Sequence, residues 1–223
     1  MPVTPRKAAV ITTVISVLFV ANLRGQSSGR DLPRGFRSLA GVTLTRDSAA
    51  TIRAKLGPTR ERRIGTGHDV YERWCYRLTD GSRALLELMS DASDMGTPGQ
   101  ALNVIRLRAD APSEDRDACA PLRASAELST PGGLHLGLSS EKIRQLLGRP
   151  TRSRGDSLIY DFDAKEFLRP DSRAYELWNT PEYRESCFDA GLPYANVRAA
   201  VIVLLKDGRA AEIRLERYDQ SVC

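Results

Sequence analysis

The sequence predicts an α+β fold made of two tandem units, each a short helix (or helix pair) packed on a three- to four-stranded antiparallel sheet. Three observations predict it. Two stretches align at an offset of 91 residues, from Ile52 to Ile143; each contains the same kind of helix stop; and alternating strands and Asp-Gly turns follow each helix. That offset is the length of a small unit rather than of a solenoid repeat.

The chain opens with Arg6 and Lys7 ahead of an apolar run from Ala8 to Ala21. A charged start before a short apolar run is the pattern of a secretory signal. The run falls short of the roughly 20 apolar residues of a spanning helix, though Asn22 and Leu23 would extend it toward an N-terminal anchor. Residues 1–24 are therefore expected to be a signal peptide or anchor, and residues 25–38, with the polar Gln26 to Arg30, a linker. No cysteine directly follows the run to carry a lipid. The protein is expected to be periplasmic or secreted.

The first unit is expected over residues 39–119 and the second over 132–223, with a connector at 120–131. Ser48 or Asp47 in the first, and Ser139 in the second, can accept hydrogen bonds from the unpaired first-turn amides of a helix, and Glu141 places an acid at its positive end. Ile52 and Leu56, like Ile143 and Leu147, lie four apart on one apolar stripe. Gly57 and Gly148 supply left-handed stops, and Pro58 and Pro150 forbid continuation. Helices this short must pack on something else to persist.

Strands supply that support. Val70 to Leu78 alternates Val70, Glu72, Trp74, Tyr76 and Leu78 against Tyr71, Arg73, Cys75 and Arg77, and the Asp80-Gly81 turn leads to a partner at Ala84 to Met89. Leu102 to Arg108 gives a third strand. The second unit has Leu158 to Phe162, Arg198 to Lys206, the turn Asp207-Gly208, and Ala210 to Arg217. Val42/Leu44 and Leu134/Leu136 alternate like short strands.

Gly137-Leu138-Ser139, Ile143, Leu147-Gly148 and Pro150, ahead of strands ending in Lys206-Asp207-Gly208, resemble the signature of the β-lactamase inhibitor protein and of small outer-membrane lipoproteins of the SmpA/OmlA type. The resemblance covers most of the second unit. In the first unit Arg46 stands where the leading glycine would be. The likeness implies a tandem fold and an envelope-assembly or inhibitor-like role.

Cys75, Cys119, Cys187 and Cys223 form an even set with no Cys-x-x-Cys pair, which in an exported chain reads as two structural disulfides. Four cysteines allow three connectivities. The repeat favours Cys75 with Cys119 and Cys187 with Cys223, one bridge closing each unit. A zinc site using His68 and Cys75 lacks the close ligand spacing that zinc sites use, and His135 reads as a strand residue. No metal or cofactor is expected.

Nucleophile elbow, phosphate loop and paired-histidine motifs are absent, and Gly65-Thr66-Gly67 precedes no helix. Asp161 and Asp163 share one strand face and read as a solvated strand end. The net charge of +5 is interspersed with acids rather than clustered, which argues against nucleic acid. With 41% hydrophobic residues the chain can still build a core, so wholesale disorder is excluded.

Two regions are expected to hold a partner. One is the sheet face carrying Tyr71, Arg73, Arg77, Arg106 and Arg108. The other is the aromatic insertion at 164–196, through Tyr175, Trp178 and Tyr183. Arginine and tyrosine anchor interfaces, and long insertions in compact units are often functional. The reading is a non-enzymatic protein-binding or envelope-assembly module whose partner is an envelope or secreted protein, with membrane contact only through the N-terminal segment. The alternatives are an enzyme or small-ligand binder with a site at the junction of the units, and a β-lactamase inhibitor-like protein.

Overall fold

The computed structural model describes residues 31–66, 71–91, 102–123, 128–167, 179–181 and 194–221. The N-terminal apolar run therefore lies outside the described residues. So do Cys187 and Cys223, His68, and the aromatic residues Tyr175, Trp178 and Tyr183.

The chain is α+β with a mostly antiparallel sheet. A 3-10 turn (Arg34–Phe36) leads into a two-residue hairpin, β1 (Ser38–Leu39) and β2 (Val42–Thr43), and then α1 (Ala49–Leu56). Four strands follow: β3 (Arg62–Ile64), β4 (Tyr71–Arg77), β5 (Leu85–Asp91) and β6 (Val104–Arg108). A short helix α2 (Ser113–Asp117) and β7 (Ala120–Pro121) lead to α3 (Ser140–Leu147), then β8 (Arg152–Arg154), β9 (Ser157–Phe167), β10 (Tyr194–Lys206) and β11 (Arg209–Ser221).

Both repeat helices begin and end as their residues dictate. The Ser48 hydroxyl accepts from the Thr51 amide, and the Ser139 hydroxyl from the Lys142 amide, each at 3.4 Å. Gly57 (φ 104°) and Gly148 (φ 83°) close them in backbone conformations that favour glycine. Asp47 is not the cap. Its carboxylate is nearly buried and accepts from the Thr43 amide and from Lys55 Nζ, both at 2.7 Å. Ile52 and Leu56 of α1, and Ile143 of α3, are fully buried against the sheet.

The sheet corrects the expected two-sheet architecture. Its nine strands run β3-β4-β5-β6-β11-β10-β9-β8, with β7 pairing in parallel beside β4. Antiparallel pairing of β6 with β11, from Val104/Glu216 to Arg108/Glu212, fuses both meanders edge to edge. Unpaired sheet edges carry unsatisfied amides and carbonyls, and here each meander closes the other's last edge. The registers carry one buried row across both meanders: Trp74, Leu88, Ile105, Leu215, Val201, Tyr160. A second buried row runs Tyr76, Leu86, Leu107, Ile213, Val203, Leu158. These residues, both helices and the N-terminal hairpin form one hydrophobic cluster, so both helices lie on the same face.

Residues 31–38 were expected to be part of a linker, yet they bury Leu32 and Phe36 in that cluster. Phe36 sits so close to Gly132 that a Cβ there would stand 2.6 Å from its ring, and the Gly132 amide bonds the Gly35 carbonyl at 2.7 Å. The expected connector is likewise structural: Leu122 and Thr130 are buried. The Leu134/Leu136 alternation yields only an isolated bridge, Ser129 to His135. Tyr76 ties helix to sheet. Its hydroxyl donates to the Gly57 carbonyl at 3.0 Å, and burial pushes its ionisation up to about 12, against the pull of Arg53.

The predicted bridge between Cys75 and Cys119 is present, with Cα atoms 5.1 Å apart. It pins the segment carrying α2 onto the face opposite α1 and α3, where Leu85 and Ala111 join the sulfurs in a small second core. Backbone bonds from Ala111 to Arg83 and from Leu122 to Arg77 hold the segment at both ends. Among the described residues no helix is long and apolar enough to cross a membrane. Closing a loop of 44 residues restricts the unfolded chain by about 4 kcal/mol on the chain-entropy account. The double variant C75A/C119A should lose stability of that order in urea titrations while keeping its far-ultraviolet circular dichroism spectrum.

Candidate functional site

Strand alternation puts every second residue on the face opposite the helices. One row there reads Cys75, Glu87, Arg106, Arg214, Ile202, Ile159, and its neighbour reads Arg73, Met89, Val104, Glu216, Ala200, Asp161. The expected residues Tyr71, Arg73, Arg77, Arg106 and Arg108 do share this face. Their guanidinium groups, however, are engaged.

The organiser is Glu87, a nearly buried carboxylate with Leu86 and Leu88 on either side of it in β5. Arg73 Nη2 reaches its Oε1 at 2.5 Å, Arg108 Nε its Oε2 at 3.0 Å, and Arg106 Nη1 the same oxygen at 3.7 Å. Arg106 turns its main bonds to Glu212, bidentately at 2.6 and 2.8 Å, and Arg108 also pairs with Asp115 of α2 at 3.0 Å. The Glu212 hydrogen bonds raise the Arg106 ionisation despite burial, with Glu212, Glu87 and Asp115 charges adding to the effect. Arg77 donates to the Cys119 carbonyl at 3.2 Å and is held under the disulfide-pinned segment. Fork-like arginine–carboxylate pairs of this kind fix geometry as well as charge. The expected surface of free arginines is thus a lattice of ion pairs around one acid.

Further along the face, a groove of about 410 Å³ runs over Ala200 between Asp161, Asp163, Arg198, Glu216 and Tyr218, with Thr151 at its rim. Asp161 is held by Arg152 through two bonds, at 3.0 and 2.8 Å, and its amide donates to the Thr151 hydroxyl at 3.0 Å. Glu216 contacts Arg214 closely. Burial raises its carboxyl ionisation, Arg214 opposes the rise and Asp161 adds to it. Burial and the neighbouring Glu216 and Tyr71 push the Tyr218 hydroxyl up to about 12. Ile159, Ile202 and Leu204 are half-buried beside the groove.

A second cavity, about 520 Å³, lies on the helix side near the Asp80-Gly81 turn, walled by Leu78, Leu107, Leu128 and Leu136 with His135 at its edge. The His135 ring nitrogen Nδ1 lies 2.8 Å from the Leu136 carbonyl oxygen. This cavity brings no convergent set of charged groups together. Among the described residues no cluster of three or more histidine, cysteine or carboxylate side chains could hold a metal ion.

Comparison with protein-family models, with curated proteins and with solved structures finds no match for this chain.

Sequence reasoning did not single out Glu87 or Tyr218. The stretch Ala84-Leu85-Leu86-Glu87-Leu88-Met89 sets one acid among apolar residues, but only the registers bring arginine-bearing strands beside it; an acid so buried must find cations. Removing a buried partner from such a network leaves uncompensated charge and costs about 3 to 5 kcal/mol. Glu87→Ala should lose stability in that range by urea denaturation. Arg62→Ala, an exposed residue on the same face, should change it by less than about 0.5 kcal/mol.

Proposed function

We propose that this chain is an exported, non-enzymatic protein-binding module built from two diverged copies of one helix-plus-meander unit, and that it holds an envelope or secreted partner on the face opposite α1 and α3. The observation that carries the reading is the fixed charge lattice flanked by half-exposed Tyr71, Tyr218, Ile159, Ile202 and Leu204. A partner meets arginines and carboxylates already held in place, so little side-chain entropy is lost on binding. Tyrosines and aliphatics between them supply the contact area.

The duplication draws support from matched positions. Ser48 and Ser139 cap, Gly57 and Gly148 stop, and the short hairpin contacts Ser38/Thr43 and Ser129/His135 precede each helix. Each helix is followed by four antiparallel strands, and the last strand of one pairs with the last of the other. Export draws support from the apolar start and from the Cys75–Cys119 bridge, since structural disulfides persist in oxidising compartments.

The rival reading, a small-ligand site at the junction of the copies, has less behind it. Asp161 and Asp163 stand on β9, two strands from β11, and only Glu216 of the groove's carboxylates lies at the junction, while the cavity beside β6 is walled mainly by leucines.

A photo-cross-linking residue placed at Ile202 or Tyr218, in protein expressed with its native N-terminus, should give a discrete adduct with an envelope protein. One at Gln145 on the opposite face should not give that adduct. Equal cross-linking from both faces, or from neither, contradicts the reading.

A further inference from the structure

We infer that the helix-bearing face is a docking surface for an anionic lipid bilayer. On the face opposite α1 and α3, Arg73, Arg106, Arg108, Arg152 and Arg214 are committed to acids, and Arg62, Arg154 and Arg198, exposed with no ion-pair partner among the described residues, stand apart on β3, β8 and β10. The side of α1 and α3 has more of these uncommitted cations. Arg34, Arg46, Arg123, Lys142, Arg144 and Arg149 are exposed, and none has an ion-pair partner among the described residues.

These six side chains belong to the elements that cover one side of the sheet. Arg34 and Arg46 flank the N-terminal hairpin, whose apolar residues are in the shared core. Arg123 lies along the end of α1, where a Cβ on Gly57 would stand 3.2 Å from its Cγ. Lys142 and Arg144 project from α3, which buries only Ile143, and Arg149 follows its stop. Glu141 is the one acid exposed on α3. These six cations are therefore distributed over a broad face rather than lining a cleft.

Two features select a bilayer over nucleic acid. The aromatic residues beneath this face, Trp74, Tyr76 and Tyr160, are buried and offer nothing for bases to stack on. The chain also enters the fold here: Asp31 bonds Arg37 at 2.6 Å and approaches Arg217 at 3.7 Å, and Arg217 bonds Thr45, all on the helix side. The apolar run Ala8 to Ala21 stands about ten residues upstream of that entry. Exposed cations spread over a face suit a planar array of anionic headgroups, each adding roughly fivefold to the affinity. A body so oriented would turn the face opposite α1 and α3 away from the lipid.

Flotation of the full-length protein with vesicles tests this. Wild type should bind phosphatidylcholine–phosphatidylglycerol vesicles far more tightly than pure phosphatidylcholine vesicles. The variant R46Q/K142Q/R144Q should lose roughly a hundredfold on the anionic vesicles and keep its binding to the neutral ones. The charge-matched variant R62Q/R154Q/R198Q, altered on the other face, should lose less than about threefold. Equal losses in both variants, no preference of wild type for anionic vesicles, or tighter retention on duplex DNA than on vesicles would each overturn the inference. All six altered residues are exposed, and an unchanged thermal midpoint separates lost binding from lost folding.

Discussion

Pairing of β6 with β11 is the constraint on which the rest of the molecule depends. It joins two four-stranded meanders, neither with a large core of its own, into a single sheet whose buried rows run unbroken from Trp74 to Tyr160 and from Tyr76 to Leu158. Ile105, Leu107, Ile213 and Leu215 at the seam are fully buried. Exposing each such side chain would cost about 1.5 to 3 kcal/mol, before counting the ladder hydrogen bonds. The N-terminal hairpin reinforces the seam from above. Arg217 on β11 bonds Thr45 at 2.7 Å, and Asn103 exchanges bonds with the Arg217 backbone.

The same seam organises charge. Because Arg106 and Arg214 face each other across it, neither can lie bare, and Glu87, Glu212 and Glu216 stand on neighbouring positions to neutralise them. A lone buried carboxylate would be costly, and so would clustered arginines, but together they form a network that is expensive only when one member is removed. The disulfide-pinned segment extends the network through Asp115 and shields its first-meander half. What stays open is the second-meander half, with its groove over Ala200 and its half-exposed aliphatics. Fold and candidate interface thus follow from one strand pairing.

Local chemistry made much of this legible in the sequence. Ser48 and Ser139 as caps, Gly57 and Gly148 as stops, and the alternation of Trp74 and Tyr76 against Arg73 and Cys75 each need only their neighbours to be read. The Cys75–Cys119 bridge was legible through the repeat. The joining of the sheets was not, because Val104 to Arg108 and Ala210 to Arg217 each read as a strand with no mark of which distant edge it would take. Long-range register lies in the summed burial of both strands, not in either alone. The three short edge strands escaped for a different reason: Arg62–Ile64, Ala120–Pro121 and Arg152–Arg154 are too short and too polar to show a period of two. The arginine face was legible as a face but not as a lattice. Arg73, Arg106 and Arg108 could be placed on one side by alternation, whereas their common partner Glu87 looked like an ordinary strand residue until the registers brought it among them.

Amide hydrogen exchange followed by mass spectrometry through a urea series tests the central claim most directly. If the seam makes one cooperative unit, peptides covering β6 and β11 should exchange only with global unfolding, at the same free energy as those covering β4 and β10. Seam peptides exchanging well before β4 and β10, with the two meanders unfolding in separate steps, would contradict it.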